Sequence, residues 1–317
     1  KHHPLERVRE AFDNDDTVTV LAKKNGGKAS ALNYGIAACR SEYVVCIDAD
    51  TQLKNDAVSR LMKHFIADTE KRVGAVAGNV KVGNQRNMLT YWQAIEYTSS
   101  QNFDRMAYSN INAITVVPGA IGAFRKEVIE EVGGFTTDTL AEDCDLTMSI
   151  NEHGYIIENE NYAVALTEAP ETLHQFVKQR IRWCFGVMQA FWKHRSSLFA
   201  PSKKGFGLWA MPNMLIFQYI IPTFSPLADV MMLIGLFTGN ALQVFLYYLI
   251  FLIIDASVSI MAYIFEGERM WVLLWVIPQR FFYRWIMYYV LFKSYLKAIK
   301  GELQTWGVLK RTGNVKG

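Results

Sequence analysis

Between residues 205 and 265 the chain carries only two charged side chains, Asp229 and Asp255. A bilayer span needs about 20 mostly apolar residues, so this stretch holds two candidate spans, 212–237 and 240–265. A third apolar run, 271–292, contains Pro278, Arg280 and Arg284; it either spans, kinks or lies in the interface. A buried helical core of a soluble protein is the weaker alternative, because runs this long are what hydropathy detects as spans. Almost all remaining charge lies in residues 1–204 and after 266. The mean hydropathy of +0.07 therefore averages two unlike regions. The expected organisation is a cytosolic domain at 1–204, transmembrane and interfacial helices at 205–300 and a basic cytosolic tail at 301–317.

Lys193, Arg195, Lys203 and Lys204 precede the first span, and Lys293, Lys297, Lys300, Lys310, Arg311 and Lys316 follow the last. The positive-inside rule puts both flanks in the cytoplasm of a multi-pass cell-membrane protein. That requires an even number of crossings against three apolar runs, so either the third is not a full span or one end is placed otherwise. The first residues do not read as a signal peptide, and a first residue of Lys is expected of a fragment.

With 33 Lys and Arg against 30 Asp and Glu, the net charge of +3 is too mild for a nucleic-acid partner. A hydrophobic content of 51% excludes a disordered chain. Cys39, Cys46, Cys144 and Cys184 show no paired spacing, which argues against a disulfide scaffold or zinc site.

The charged half alternates strand and helix patterns. TVTVLA (17–22), YVVCIDAD (43–50) and VGAVAGNVKV (73–82) read as strands. KASALNYGIAA (28–38), after the turn Asn25-Gly26-Gly27, DAVSRLMKHFI (56–66) and 88–107 read as helices. The alternation predicts an α/β fold with a largely parallel sheet, whose ligands sit at the carboxyl ends of the strands.

Four groups of residues carry chemistry. Asp48 and Asp50 close a strand, where two carboxylates can grip a hard divalent cation beside phosphate oxygens; a turn or cap needs the same residues. Lys28 follows Gly26-Gly27 at a helix start that attracts anions, although a simple turn explains the glycines equally. Glu142, Asp143 and Asp145 open a helix; the dipole accounts for one acid, and a general base accounts for another. Gln179, Arg182 and Trp183 lie in QRIRW. Arg suits bidentate phosphate binding and Trp suits stacking, but a basic amphipathic helix at a membrane surface would look similar.

In this order, DAD, AED and QRIRW after PET, ahead of apolar helices, resemble the membrane-embedded processive family 2 glycosyltransferases, which include cellulose, chitin, hyaluronan and poly-N-acetylglucosamine synthases. The resemblance covers about residues 17–300. The segments VPGAIGAFRK (117–126) and PETLHQFVKQRIRW look most like the poly-β-1,6-N-acetylglucosamine group. It implies a GT-A, Rossmann-like domain that takes a UDP-sugar donor and elongates a polysaccharide acceptor at the lipid bilayer. Asp48 and Lys28 would then bind the nucleotide sugar, with Asp50 (and Asp48) holding Mg²⁺ or Mn²⁺. Asp143 would be the base, with Glu142 beside it. Gln179 and Arg182 would close over the diphosphate, and Trp183 and Gly119 would meet the acceptor. The resemblance leaves open the sugar and whether a small membrane accessory subunit is required. The family's first strand and its early Asp motif do not appear before KHHPLERVREAF, so the chain alone is expected to be inactive and poorly stable, with exposed sheet edges. A scaffold or export channel with a degenerate transferase domain would have lost some of Asp48, Asp50, Asp143, Arg182 and Trp183; all five are present.

Overall fold

A computed structural model describes residues 4–13 and 15–300. The basic tail 301–317, with Lys310, Arg311 and Lys316, lies outside the described residues. The helix α1 covers Pro4–Phe12, and residues 15–26 form no helix or strand; within them Asn25 Oδ1 accepts the Gly27 N–H at 3.1 Å. Gly27 sits at φ +85°, a conformation glycine adopts without strain, and from there α2 (Gly27–Ala38) begins.

Five strands follow: β1 (Tyr43–Cys46), β2 (Thr51–Leu53), β3 (Val73–Val82), β4 (Gly122–Arg125) and β5 (Ile156–Thr167). They form one sheet in the order β1-β4-β3-β5-β2. The central strand β3 is buried at every residue except Lys81, as expected of a strand covered on both faces. Ile36, Phe124, Leu146 and Ile150 pack in one core cluster, with α2, α6 (Lys126–Glu131) and α7 (Glu142–Glu152) over the sheet. Leu61 and Phe65 of α3 (Ala57–Ala67) pack with Val76, Val80 and Ile121 in a second cluster.

Four expectations are corrected. The sheet is mixed rather than largely parallel, because β4 inserts antiparallel between β1 and β3, and β2 pairs antiparallel with β5; only β3 and β5 pair in parallel. Residues 17–22 are not a strand. An apolar β-branched run becomes a strand only through a ladder, and among the described residues none pairs with it. The strand at 43–50 is also shorter, since the chain turns at Asp48 with Thr51 N donating to Asp48 O at 3.0 Å. The helices at 28–38 and 56–66 and the strand at 73–82 form within a residue of expectation. The expected helix at 88–107 forms as α4 (Met88–Glu96) and α5 (Asp104–Ser109), joined by a π-helical segment Tyr97–Phe103.

The topology places the site. β1, β3 and β5 run in one direction, so their carboxyl ends share one edge of the sheet. Asp48 follows β1 there and Glu168 follows β5. β4 runs the other way, so Pro118 and Gly119, just before it, arrive at the same edge.

Beyond the sheet, α8 (Leu173–Lys193) leads to two long apolar helices, Phe206–Phe237 and Ala241–Glu266. Both are long and apolar enough to cross a membrane. They make a hairpin whose two outer ends dock on the α/β part. Phe206, Met211 and Met214 join Ala141, Cys144 and Met148 in one cluster. At the other end Glu266 accepts the Asn79 Nδ2 donor at 2.5 Å, and Lys81 pairs with Glu268 at 2.7 Å. Both outer ends of the hairpin therefore sit on the α/β side of the molecule. The third apolar run becomes a 3₁₀ turn, Met270–Trp275, and a closing helix, Val276–Ile299, that packs along α8 through Tyr283 and Leu291. Its Arg284 bonds Asp229 and its Arg280 bonds Asp255, so the two lone carboxylates of the hairpin both meet arginines of the closing helix.

Candidate active site

Lys28, on the first turn of α2, extends to the shared sheet edge. Its Nζ lies 2.5 Å from Asp48 Oδ1 and 3.4 Å from Glu142 Oε1. Burial alone would make Lys28 easier to deprotonate, but the charges of Asp48, Asp143 and Glu142 outweigh it and hold the ammonium more firmly than usual. Asp48 is the reverse case: burial raises its proton affinity first, Lys28 opposes, and Asp50 and Asp143 add to the rise.

Glu142 and Asp143 start α7, where unpaired backbone N–H groups favour carboxylates. Asp143 Oδ2 accepts the Gly119 N–H at 3.2 Å and Oδ1 accepts the Cys144 N–H at 2.8 Å, which fixes the carboxylate plane. Glu142 turns instead toward Lys28. It is 4% exposed, and burial together with the neighbouring Asp143 charge pushes its pKa up to about 7. Asp145, the third acid, points away from this site and bonds His194, Lys193 and Thr136. Gly119 is crowded from the lysine side: a Cβ there would stand 2.4 Å from Lys28 Nζ and 3.3 Å from Asp143 Oδ2.

One cavity of about 740 Å³ joins these groups. Lys28, Asp48, Gly119, Glu142 and Asp143 line it from the α/β part, and Gln179, Arg182 and Trp183 line it from α8. Of the nine expected site residues only Asp50 is outside the lining. It stands in the turn after Asp48, near enough for its charge to act on that carboxyl. Sequence reasoning missed Glu168, which is buried and lines the same cavity. Its signal was present, an acid directly after an apolar strand, as with Asp48. Asp104 and Arg105 at the start of α5 were missed as well; burial raises the Asp104 pKa to about 6. Nothing marked them, since a π-helical turn has no sequence signature.

A second cavity of about 700 Å³ runs between α8, the hairpin and the closing helix. Ser100, Gln101, Trp183, Val187 and Gln218 line both cavities, so Trp183 stands at their junction.

No cluster of three His, Cys, Asp or Glu side chains among the described residues could hold a metal ion alone. The donor set still suits a hard divalent cation. Asp48 and Asp50 offer carboxylate oxygens, and the Asp50 and Asp143 charges that add to the effect of burial on Asp48 would be relieved by a cation. Remaining ligands would have to come from a bound diphosphate or water.

The family model described as glycosyl transferase family group 2 matches residues 43–292. The chain belongs to this family. Among relatives of this group 2 glycosyl transferase, the poly-beta-1,6-N-acetyl-D-glucosamine synthase of Staphylococcus aureus (strain COL) is 34% identical over 181 residues, 57% of this chain and 43% of that protein. The synthase of the same name from Staphylococcus epidermidis is 34% identical over 191 residues, covering 59% and 46%. The matched region thus spans less than half the length of either relative. In structure, the transferase resembles the mannosyltransferase PcManGT from Pyrobaculum calidifontis, solved with GDP-Man and Mn²⁺, at a TM-score of 0.60 and 21% identity over 94% of this chain and 74% of that one. The shared fold is the mixed α/β GT-A fold.

Proposed function

We propose that the protein polymerises N-acetylglucosamine from UDP-N-acetylglucosamine into a β-1,6-linked polysaccharide at a cell membrane. The observation that carries this reading is the convergence of Lys28, Asp48, Asp143, Arg182 and Trp183 on one cavity. Sugar and linkage follow the names of the staphylococcal relatives.

In this reading Lys28 and Arg182 bind the donor's diphosphate, Arg182 by its planar fork. Asp48 and Asp50 would hold Mg²⁺ or Mn²⁺, which when bound neutralises charge on the departing UDP. Asp143, oriented by the N–H groups of Gly119 and Cys144, accepts the proton of the acceptor hydroxyl. That oxygen forms its bond to the anomeric carbon as the bond from this carbon to the UDP oxygen breaks, and the electron pair leaves with UDP. Attack opposite the leaving group inverts the anomeric carbon. Trp183 offers the acceptor sugar an apolar face, and the second cavity gives the lengthening product a path between helices. The hairpin lies across the bilayer with the α/β part in the cytosol, where the basic residues before Phe206 and after Tyr289 belong.

The test uses membranes carrying the full-length gene product. Mg²⁺-dependent UDP release is followed with UDP-N-acetylglucosamine, UDP-glucose and UDP-glucuronate separately. Release from the first alone, with a product cleaved by a β-1,6-specific glucosaminidase, is expected. Asp143→Asn should lower turnover by about 10²–10⁴-fold, the usual contribution of a general base, with donor binding largely kept. Wild-type turnover in that variant would remove Asp143 as the base, and release from a different donor would replace the assigned sugar.

A further inference from the structure

Arg180 belongs to the Gln179–Trp183 run but lines the second cavity and not the first. It is 4% exposed. Its Nη1 donates to Glu96 Oε1 at 2.5 Å, and Glu96 Oε2 accepts the hydroxyl of Tyr283 from the closing helix. Its Nε and Nη2 are buried without a hydrogen-bond partner. The rest of the guanidinium is stacked: its centre lies 4.9 Å from the Phe176 ring and 4.7 Å from the Trp183 ring. Phe176, Arg180 and Trp183 are spaced i, i+4 and i+7, so they share one face of α8.

A half-satisfied buried arginine is a poor way to fill a core, because an apolar side chain of similar volume would serve as well or better. What the arginine adds is a flat, charged surface fixed from behind and pressed on an aromatic face. The indole it presses on is the side chain at the junction of the two cavities. Glu96 comes from α4 and Tyr283 from the closing helix, so the plane of Trp183 is referred to three helices at once.

We propose that Arg180, held by Glu96 and Tyr283, is the positioning residue for Trp183, setting the plane of the indole on which the acceptor sugar rests and so governing acceptor engagement and product length. The proposal rests on the transferase reading above and extends it to a residue outside the cavity in which donor and acceptor react.

The experiment uses the full-length protein in proteoliposomes, with short oligomers purified from the wild-type product as added acceptors. Arg180→Lys keeps the charge opposite Glu96 but loses the flat surface. It should raise the acceptor KM about tenfold, a typical value for a lost buried cation–π contact, and shorten the product, with the donor KM kept within about twofold. Tyr283→Phe removes only the hydroxyl behind Glu96 and should shift acceptor KM and product length in the same direction by less. A purely structural link would move donor and acceptor parameters together, or the melting temperature alone; either result overturns the proposal, as does wild-type acceptor KM in both variants. If the wild-type protein releases no UDP from any donor, the transferase reading itself fails, an outcome distinct from the variant pattern.

Discussion

The site is built from side chains that restrain one another. Lys28 stands among three carboxylates, and Gly119 leaves the room in which its ammonium lies. Gly119→Ala introduces no backbone strain, since Gly119 is not at positive φ, but its Cβ displaces Lys28 Nζ from Asp48 and Glu142. The expected result is a donor KM raised on the order of tenfold, the effect of weakening one partly buried charge contact, with a melting temperature close to wild type. Kinetics of UDP release beside a thermal melt separate the two, and an unchanged KM would show that the lysine's place is not set by this glycine. At this scale the sequence was most legible. Acidic pairs, a lysine after glycines and an arginine–tryptophan pair each had a structural reading as well, and it was their order along the chain that singled them out; eight of the nine expected residues line one cavity. Glu168 was harder to see because a single acid after a strand looks like any strand end.

Among elements, α7 is fixed at both ends by charge. Its first turn faces the site, while Asp145 and Glu152 on its inner side grip His194, the C-cap of α8, at 3.0 and 2.8 Å. Burial would drive the proton off His194, but the two carboxylates outweigh it and bring its pKa up to about 9. Asp145 is drawn down to about 2 against the effect of its own burial, by the bonds from His194, Thr136 and Lys193. The signs follow. The His194 contribution is fully present below its unfolded pKa of about 6.5 and is lost as pH rises through about 9. The Asp145 contribution is present above about 4 and is lost as pH falls through about 2. Thermal melts of wild type and His194→Gln should therefore differ most at about pH 5–6, where the whole contribution is present, and converge above about pH 10; a constant difference across that range would show that His194 is not charged in the fold. This bond network was not legible in the sequence, because His194 lies about 50 residues from Asp145 and no local pattern connects them. The failure at residues 17–22 has the same origin: strand propensity is local, but a strand is made by its neighbour.

At the scale of the molecule, the apolar run was plain in the sequence and its internal order was not. Asp229 and Asp255 looked like isolated exceptions, and Arg280 and Arg284 looked like reasons to doubt the third run. The fold pairs them, which binds both helices of the hairpin to the closing helix. Asp255→Asn should leave Arg280 uncompensated and destabilise the helical assembly by about 1–3 kcal/mol, the order for a broken part-buried pair, whereas Asp255→Asn with Arg280→Gln should recover most of the loss. Melting of purified protein in detergent checks this, and equal losses in the single and double variants would mean that the pair carries no weight. The pairing also orders the making of the protein in time. A ribosome completes the hairpin before it reaches residue 280, so under the membrane placement proposed above two carboxylates would enter the bilayer ahead of the cations that neutralise them. Until the closing helix arrived, such a hairpin would be an unfinished insertion, and the third apolar run would be the step that commits it.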